Sequence, residues 1–225
     1  MNKKSLYIII SLLLLSLSVT FVDAVIKPNY FLKIPIKIIF FIVIPMSYFI
    51  INRKEFKEFK KLFTFKRKGI LKSLLFGLVV YFIIVGGYFL TRNILDFSLV
   101  ASNLTNSMGI TADNFIYVSL YISLMNSFLE EFFFRGYGFI TLKKHTNRLF
   151  SYLYSPILFT VYHMGMMIGS FHAPTFILIL ICLFISGCIF NYLNEKHDNI
   201  YPSWFVHMFA NFGINTVGFI LFGVL

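Results

Sequence analysis

The chain has 225 residues, of which 58% are hydrophobic, 20% aromatic and only 13% charged, with a formal net charge of +11. A soluble domain carries about 25% charged residues, so this balance excludes an ordinary soluble fold and points to a polytopic membrane protein. The positive charge is concentrated in loops between apolar runs, which argues against nucleic acid as its reason.

Seven apolar runs follow one another, at 5–22, 30–51, 70–90, 115–140, 149–168, 171–193 and 200–225. Each approaches or exceeds the ~20 residues that a helix needs to cross about 30 Å of hydrocarbon. A backbone without water must satisfy itself, so the runs read as helices. The expected fold is all-α, a membrane bundle of about seven transmembrane helices with the site in the C-terminal four. The first run follows Asn2-Lys3-Lys4 and ends at Val22-Asp23-Ala24, the outline of a secretory signal, but at about 17 residues it is long for a signal core and is read as a retained helix. The second run is interrupted at its start by Lys33, Pro35 and Lys37.

The 52–69 loop holds Arg53, Lys54, Lys57, Lys60, Lys61, Lys66, Arg67 and Lys68, and a second basic cluster is Lys143, Lys144 and Arg148. Counted by spans, these share a side with Lys3, Lys4 and Lys196. The positive-inside rule then puts the N-terminus in the cytosol and the C-terminus outside. Phe56, Phe59, Phe63 and Phe65 lie among the lysines of that loop, so it either rests on anionic lipid or simply sets the topology. A polar stretch at 91–114 divides an accessory part, 1–113, from a functional part, 114–225. Cys182 and Cys188 match no common zinc spacing and read as packing residues.

The fourth run contains Glu130 and Glu131, and a carboxylate at bilayer depth costs about 2.5–3.5 kcal/mol, which makes it a functional-site candidate. On a helix the two point ~100° apart. Glu131 and Arg135 stand at i and i+4 in the favourable order for an ion pair. Glu130 shares its face with Asn126 and Phe134 and is left to face a polar cavity, where a carboxylate makes a good general base. A purely structural polar network is the other reading. His163 lies in the fifth run, as a packing residue or a site residue. His207 and Asn211, at i and i+4, share a face of the seventh, lining a cavity or bonding between helices. Counted from one membrane face at 1.5 Å per residue, Glu130, His163, His207 and Asn211 lie at depths of about 16, 21, 10 and 16 Å, so they can converge. His145, His172 and His197 fall in loops or at helix ends and receive no role. Gly165-Met-Met-Ile-Gly169 is a close-packing pattern for membrane helices.

Glu130-Glu131-x-x-x-Arg135, Phe159-x-x-x-His163 and His207-x-x-x-Asn211, in that order, resemble the three motifs of the CPBP family, the type II CAAX prenyl endopeptidases and bacteriocin-processing or immunity proteins also called Abi. The resemblance covers roughly 114 to 215. It implies an intramembrane endopeptidase in which Glu130 and His163 activate water, His207 and Asn211 stabilise the oxyanion, and Glu131 and Arg135 support the site. The family is usually labelled metalloprotease. The resemblance leaves open a zinc ion held by Glu130, His163 and His207 and a metal-free glutamate mechanism. The partners it implies are membrane lipid and a membrane-associated protein or peptide substrate. Composition suggests a bacterial cell membrane, where a pheromone precursor, a bacteriocin leader or a membrane-bound regulator is the expected substrate. A non-catalytic immunity or scaffold protein and a proton-coupled transporter are the competing readings, the latter without the inverted repeats transporters often show.

Overall fold

The computed structural model describes residues 2–65 and 67–225; Lys66 of the basic loop lies outside them. Among the described residues there are nine helices and no strand. They are α1 (Lys3–Ile26), α2 (Tyr30–Ile51), α3 (Arg53–Leu62), α4 (Arg67–Thr91), α5 (Ser98–Met108), α6 (115–141), α7 (Arg148–Met167), α8 (Ala173–His197) and α9 (Tyr201–Leu221). Their boundaries follow local chemistry. The Asn2, Asn29 and Asn147 side chains accept from backbone N–H groups of the first turns of α1, α2 and α7, which satisfies donors a helix start leaves open. Pro174 and Pro202 sit in the first turns of α8 and α9, where no backbone N–H is missed.

Five helices, α1, α2, α4 from Gly69, α8 and α9, are long and apolar enough to cross a membrane. The seven expected spans are thus five by length and composition. The other two expected spans are α6 and α7, which are helical over their length but carry the polar side chains of the site. The chain is an integral membrane helical bundle, with α6 at its centre. It packs against α1, α2, α3, α7, α8 and α9, and every residue from 129 to 142 is buried. By contrast α4 packs chiefly on α9 and turns most of its apolar surface outward. Outward-facing Leu, Ile and Phe side chains such as Leu75, Phe82 and Ile83 are what a lipid solvent selects.

The core is aromatic. Phe41 of α2 stacks on Phe133 at 4.3 Å and meets Phe134 and Tyr162 edge-on. From α1, Ile8, Leu12, Leu15 and Val19 repeat at helical spacing and are buried in the same core. Close approach needs glycine at several points, two of them along α7. A Cβ on Gly165 would lie 2.5 Å from the Thr20 carbonyl oxygen of α1, and one on Gly187 would lie 2.8 Å from Pro156 of α7. The expected close-packing role thus holds at Gly165, whereas Gly169 has open space around it and a φ of +83°.

Two expectations for the front of the chain change. Phe56, Phe59 and Phe63 of the α3 region pack inward on Phe49, Phe128 and Phe132, so these three rings serve the core, and Phe65 alone of the four stays exposed. Lys33 and Lys37 do not interrupt a span: both are buried in α2 and find partners inside the bundle. Lys33 pairs with Asp23 of α1 at 2.8 Å.

Candidate active site

Glu130 lies one residue before α6 changes from α-helical to π-helical winding, which runs from Glu131 to Thr141. π-helical winding is uncommon and clusters at functional sites. Here it accompanies an i, i+4 pair, with Arg135 Nη1 3.2 Å from Glu131 Oε1 and both side chains fully buried. The Arg135 guanidinium also lies 4.0 Å from the Phe159 ring centre and 5.0 Å from that of Phe190. Its nitrogens have no hydrogen-bond partner. The ion pair and the ring faces are therefore what offset the removal of a cation from water.

Glu131 is fully engaged. Its Oε1 accepts from His207 Nδ1 at 2.9 Å, and its Oε2 accepts from the Ser203 hydroxyl. A carboxylate offers only acceptors, so the His207 proton sits on Nδ1 and Nε2 is turned toward Glu130 Oε2, 3.6 Å away. Phe190 stacks on the His207 ring at 5.2 Å.

Glu130 is half engaged. Its Oε1 accepts from Asn126 Nδ2 at 2.5 Å and from the Tyr162 hydroxyl at 2.9 Å, and Lys37 Nζ lies 4.0 Å from it. Its Oε2 is buried with no hydrogen-bond partner. His163 Nδ1 donates to the Phe159 carbonyl at 2.7 Å, which leaves its Nε2 lone pair 3.8 Å from the same Oε2. Two imidazole nitrogens, from α7 and α9, thus face this oxygen of α6 from beyond direct hydrogen-bond reach. Buried polar atoms are nearly always satisfied, so an orphan Oε2 facing two imidazole nitrogens marks a place for a small bound group.

Glu130, His163 and His207 come together as their matched depths suggest. Asn211 does not touch them: its Nδ2 donates to the Ile122 carbonyl of α6 at 3.1 Å. Three contributors escaped the sequence reading. Tyr162 adjoins His163, Ser203 is one turn before His207, and Lys37 had the only signal available, a lysine on the same helical face as Tyr30, Lys33 and Phe41. Cys182 and Cys188 are free thiols. His145 and His172 bind Glu55 and Asp96 at loop ends, away from this centre.

The three candidate ligand atoms do not form a closed metal cage. Zinc at 2.0–2.1 Å from each ligand holds neighbouring ligand atoms about 3.3 Å apart, whereas Oε2 lies 3.6 and 3.8 Å from the two nitrogens. Among the described residues no three His, Cys, Asp or Glu side chains are arranged to hold a metal ion. The Lys37 ammonium beside Glu130 already supplies a positive charge.

Fold and site define an all-α integral membrane protein with a carboxylate–histidine centre at its core. Residues 112–213 match the sequence profile of the type II CAAX prenyl endopeptidase Rce1-like family. That stretch is similar to this family, consistent with the CPBP group. No curated protein and no solved structure matches the chain.

Proposed function

We propose that the protein is an endopeptidase of the membrane interior, cutting a membrane-associated protein or peptide precursor with a water activated by Glu130 and His163. The observation that carries this reading is the unpartnered Glu130 Oε2 facing two imidazole nitrogens. A water between Oε2 and His163 Nε2 donates one O–H to each and keeps a lone pair for the scissile carbonyl. Glu130 takes the water proton as the C–O bond forms, then gives it to the departing amide nitrogen as the C–N bond breaks. His207 has its Nδ1 proton fixed by Glu131 and is neutral at rest; it serves the oxyanion when Glu130 Oε2, 3.6 Å away, relays the water proton to its Nε2, and it returns that proton through Glu130 for the leaving amide nitrogen. Asn211 has a second Nδ2 hydrogen beyond the one given to Ile122 and adds a donor. Glu131, Ser203 and Arg135 hold His207 in orientation. The orphan oxygen also favours catalysis over a purely structural network, since a network built only to join helices has no reason to leave its central carboxylate half satisfied.

The substrate class we propose is a peptide precursor or a membrane-bound regulator in a bacterial cell membrane, with the N-terminus of the enzyme cytosolic. The test compares new peptide termini in membranes containing the wild type or Glu130→Gln at equal abundance. Termini made only by the wild type establish proteolysis and name the substrate. Identical termini from two folded proteins overturn the reading and leave an immunity or scaffold role in its place.

A further inference from the structure

Lys37 lies in α2, outside the residues that match the family, yet it reaches the centre of the site. Its Nζ donates to Asn126 Oδ1 at 3.0 Å, and Asn126 Nδ2 in turn donates to Glu130 Oε1. The same ammonium is 4.0 Å from Glu130 Oε1 and 5.1 Å from the Tyr162 ring centre. The lysine side chain is 5% exposed and the glutamate 2%, so neither charge has water to fall back on.

The buried charges balance only when α2 is counted. Apart from Glu55, which pairs with the half-exposed Lys4, the buried charges among the described residues are Asp23, Glu130 and Glu131 against Lys33, Lys37 and Arg135. Asp23 pairs with Lys33 and Glu131 with Arg135. Lys37 is what remains for Glu130. An unpaired carboxylate in a low-dielectric interior picks up a proton rather than stay charged, and a protonated Glu130 is not a base. The other groups facing Glu130 are Tyr162 and His163 from α7 and His207 from α9. None of these carries a fixed positive charge.

We infer that Lys37 is a positioning residue for the reaction: through Asn126 and by direct attraction it pins Oε1 of Glu130, so that the carboxylate stays ionised and presents Oε2 to the water. The front helices are then part of the catalytic machinery. This inference rests on the proteolytic reading above.

The test has two arms on the full-length protein. The first needs no activity. Melting temperatures in detergent are measured for the wild type, K37M, E130Q and K37M/E130Q. If the two charges balance each other, Glu130→Gln lowers the melting temperature when Lys37 is present and raises it when Lys37 is Met. The same effect of Glu130→Gln in both backgrounds overturns the pairing. The second arm measures kcat and KM on a synthetic peptide spanning the Glu130-dependent cut site. A carboxylate out of position loses about 100-fold in rate, so K37M is expected to lose that factor in kcat with KM within a few-fold of wild type. Lys37→Gln repeats the measurement with hydrogen-bonding capacity kept and charge removed, and decides the matter if the Met variant does not fold. Unchanged kcat in a folded variant, or a loss confined to KM, overturns the inference. If no Glu130-dependent cleavage exists, the proteolytic reading fails and the positioning role falls with it, while the melting arm still tells whether Lys37 and Glu130 are paired.

Discussion

His207 donates from Nδ1 to Glu131 at 2.9 Å while its other nitrogen stands 3.6 Å from Glu130. Two neighbouring carboxylates thus face opposite edges of one imidazole, one bonded to it and one not, and this difference divides their labour. Glu131 spends both oxygens on Ser203, His207 and Arg135, whereas Glu130 keeps one free.

That division predicts different failures for the two glutamates. Glu131→Gln strips the fully buried Arg135 of its counter-ion, and breaking a buried pair in this way costs about 3–5 kcal/mol. Glu130→Gln leaves Arg135 paired and removes the base, a loss of about 10²–10⁴ in rate. Unfolding in detergent together with the yield of cleaved termini distinguishes them: Glu131→Gln should show the larger drop in melting temperature. Equal drops would mean that the Glu131–Arg135 pair at 3.2 Å secures no more than the looser Glu130–Lys37 pair at 4.0 Å.

Close approach of helices predicts which glycines matter. Gly165→Ala and Gly187→Ala drive a methyl against the Thr20 carbonyl and Pro156, and overpacking of this kind costs about 1–3 kcal/mol. Gly86→Ala has nothing within 4 Å of the new methyl and should be neutral or slightly stabilising, by up to about 1 kcal/mol. Thermal melts of the three variants check the contrast.

The loops predict a modest pH dependence. Lys144 and Lys61 bond Glu58 at 2.6 and 2.7 Å, and these hydrogen bonds hold its carboxyl below the usual range. A depressed folded-state value gives stability that is present above the ordinary carboxylate value of about 4.3 and is lost as pH falls through the lower, folded value. Glu58 is partly exposed, so its contribution at neutral pH is no more than about 1 kcal/mol. The difference in melting temperature between wild type and Glu58→Gln should be present at pH 7 and close as the pH drops below that of an ordinary carboxylate. A difference that grows on acidification would contradict the pairing.

Ligand spacing predicts the response to chelators. With Oε2 wider from both imidazoles than zinc ligands sit, phenanthroline or EDTA should leave cleavage by the purified protein unchanged. Activity lost to chelator and restored by zinc alone would show that Glu130, His163 and His207 close around a metal in the working enzyme.

Much of the site was legible in the sequence because its signals are local. Charged residues in apolar runs, the i, i+4 spacings of Glu131 with Arg135 and His207 with Asn211, and a common depth all follow from helix geometry. Membrane helices were equally legible, since hydropathy and length decide them. Their number was not, because α6 and α7 carry the polar side chains of the site, which α6 shelters in a fully buried stretch from 129 to 142.

Only the tertiary structure decided how the charges pair. Lys37 and Glu130 are distant in sequence, and no periodicity links them; they meet because α2 lays its Phe41 against Phe133 of α6 and brings its lysine face inward. The same packing turns the phenylalanines of α3 toward the core and leaves Asn211 bonded to a backbone carbonyl, one turn away from the carboxylate centre. The sequence by itself determined which groups lie inside the membrane, because burying them is costly. The fold determined which of them are satisfied and which one, Glu130 Oε2, is left open, because hydrogen bonding depends on distances set between helices.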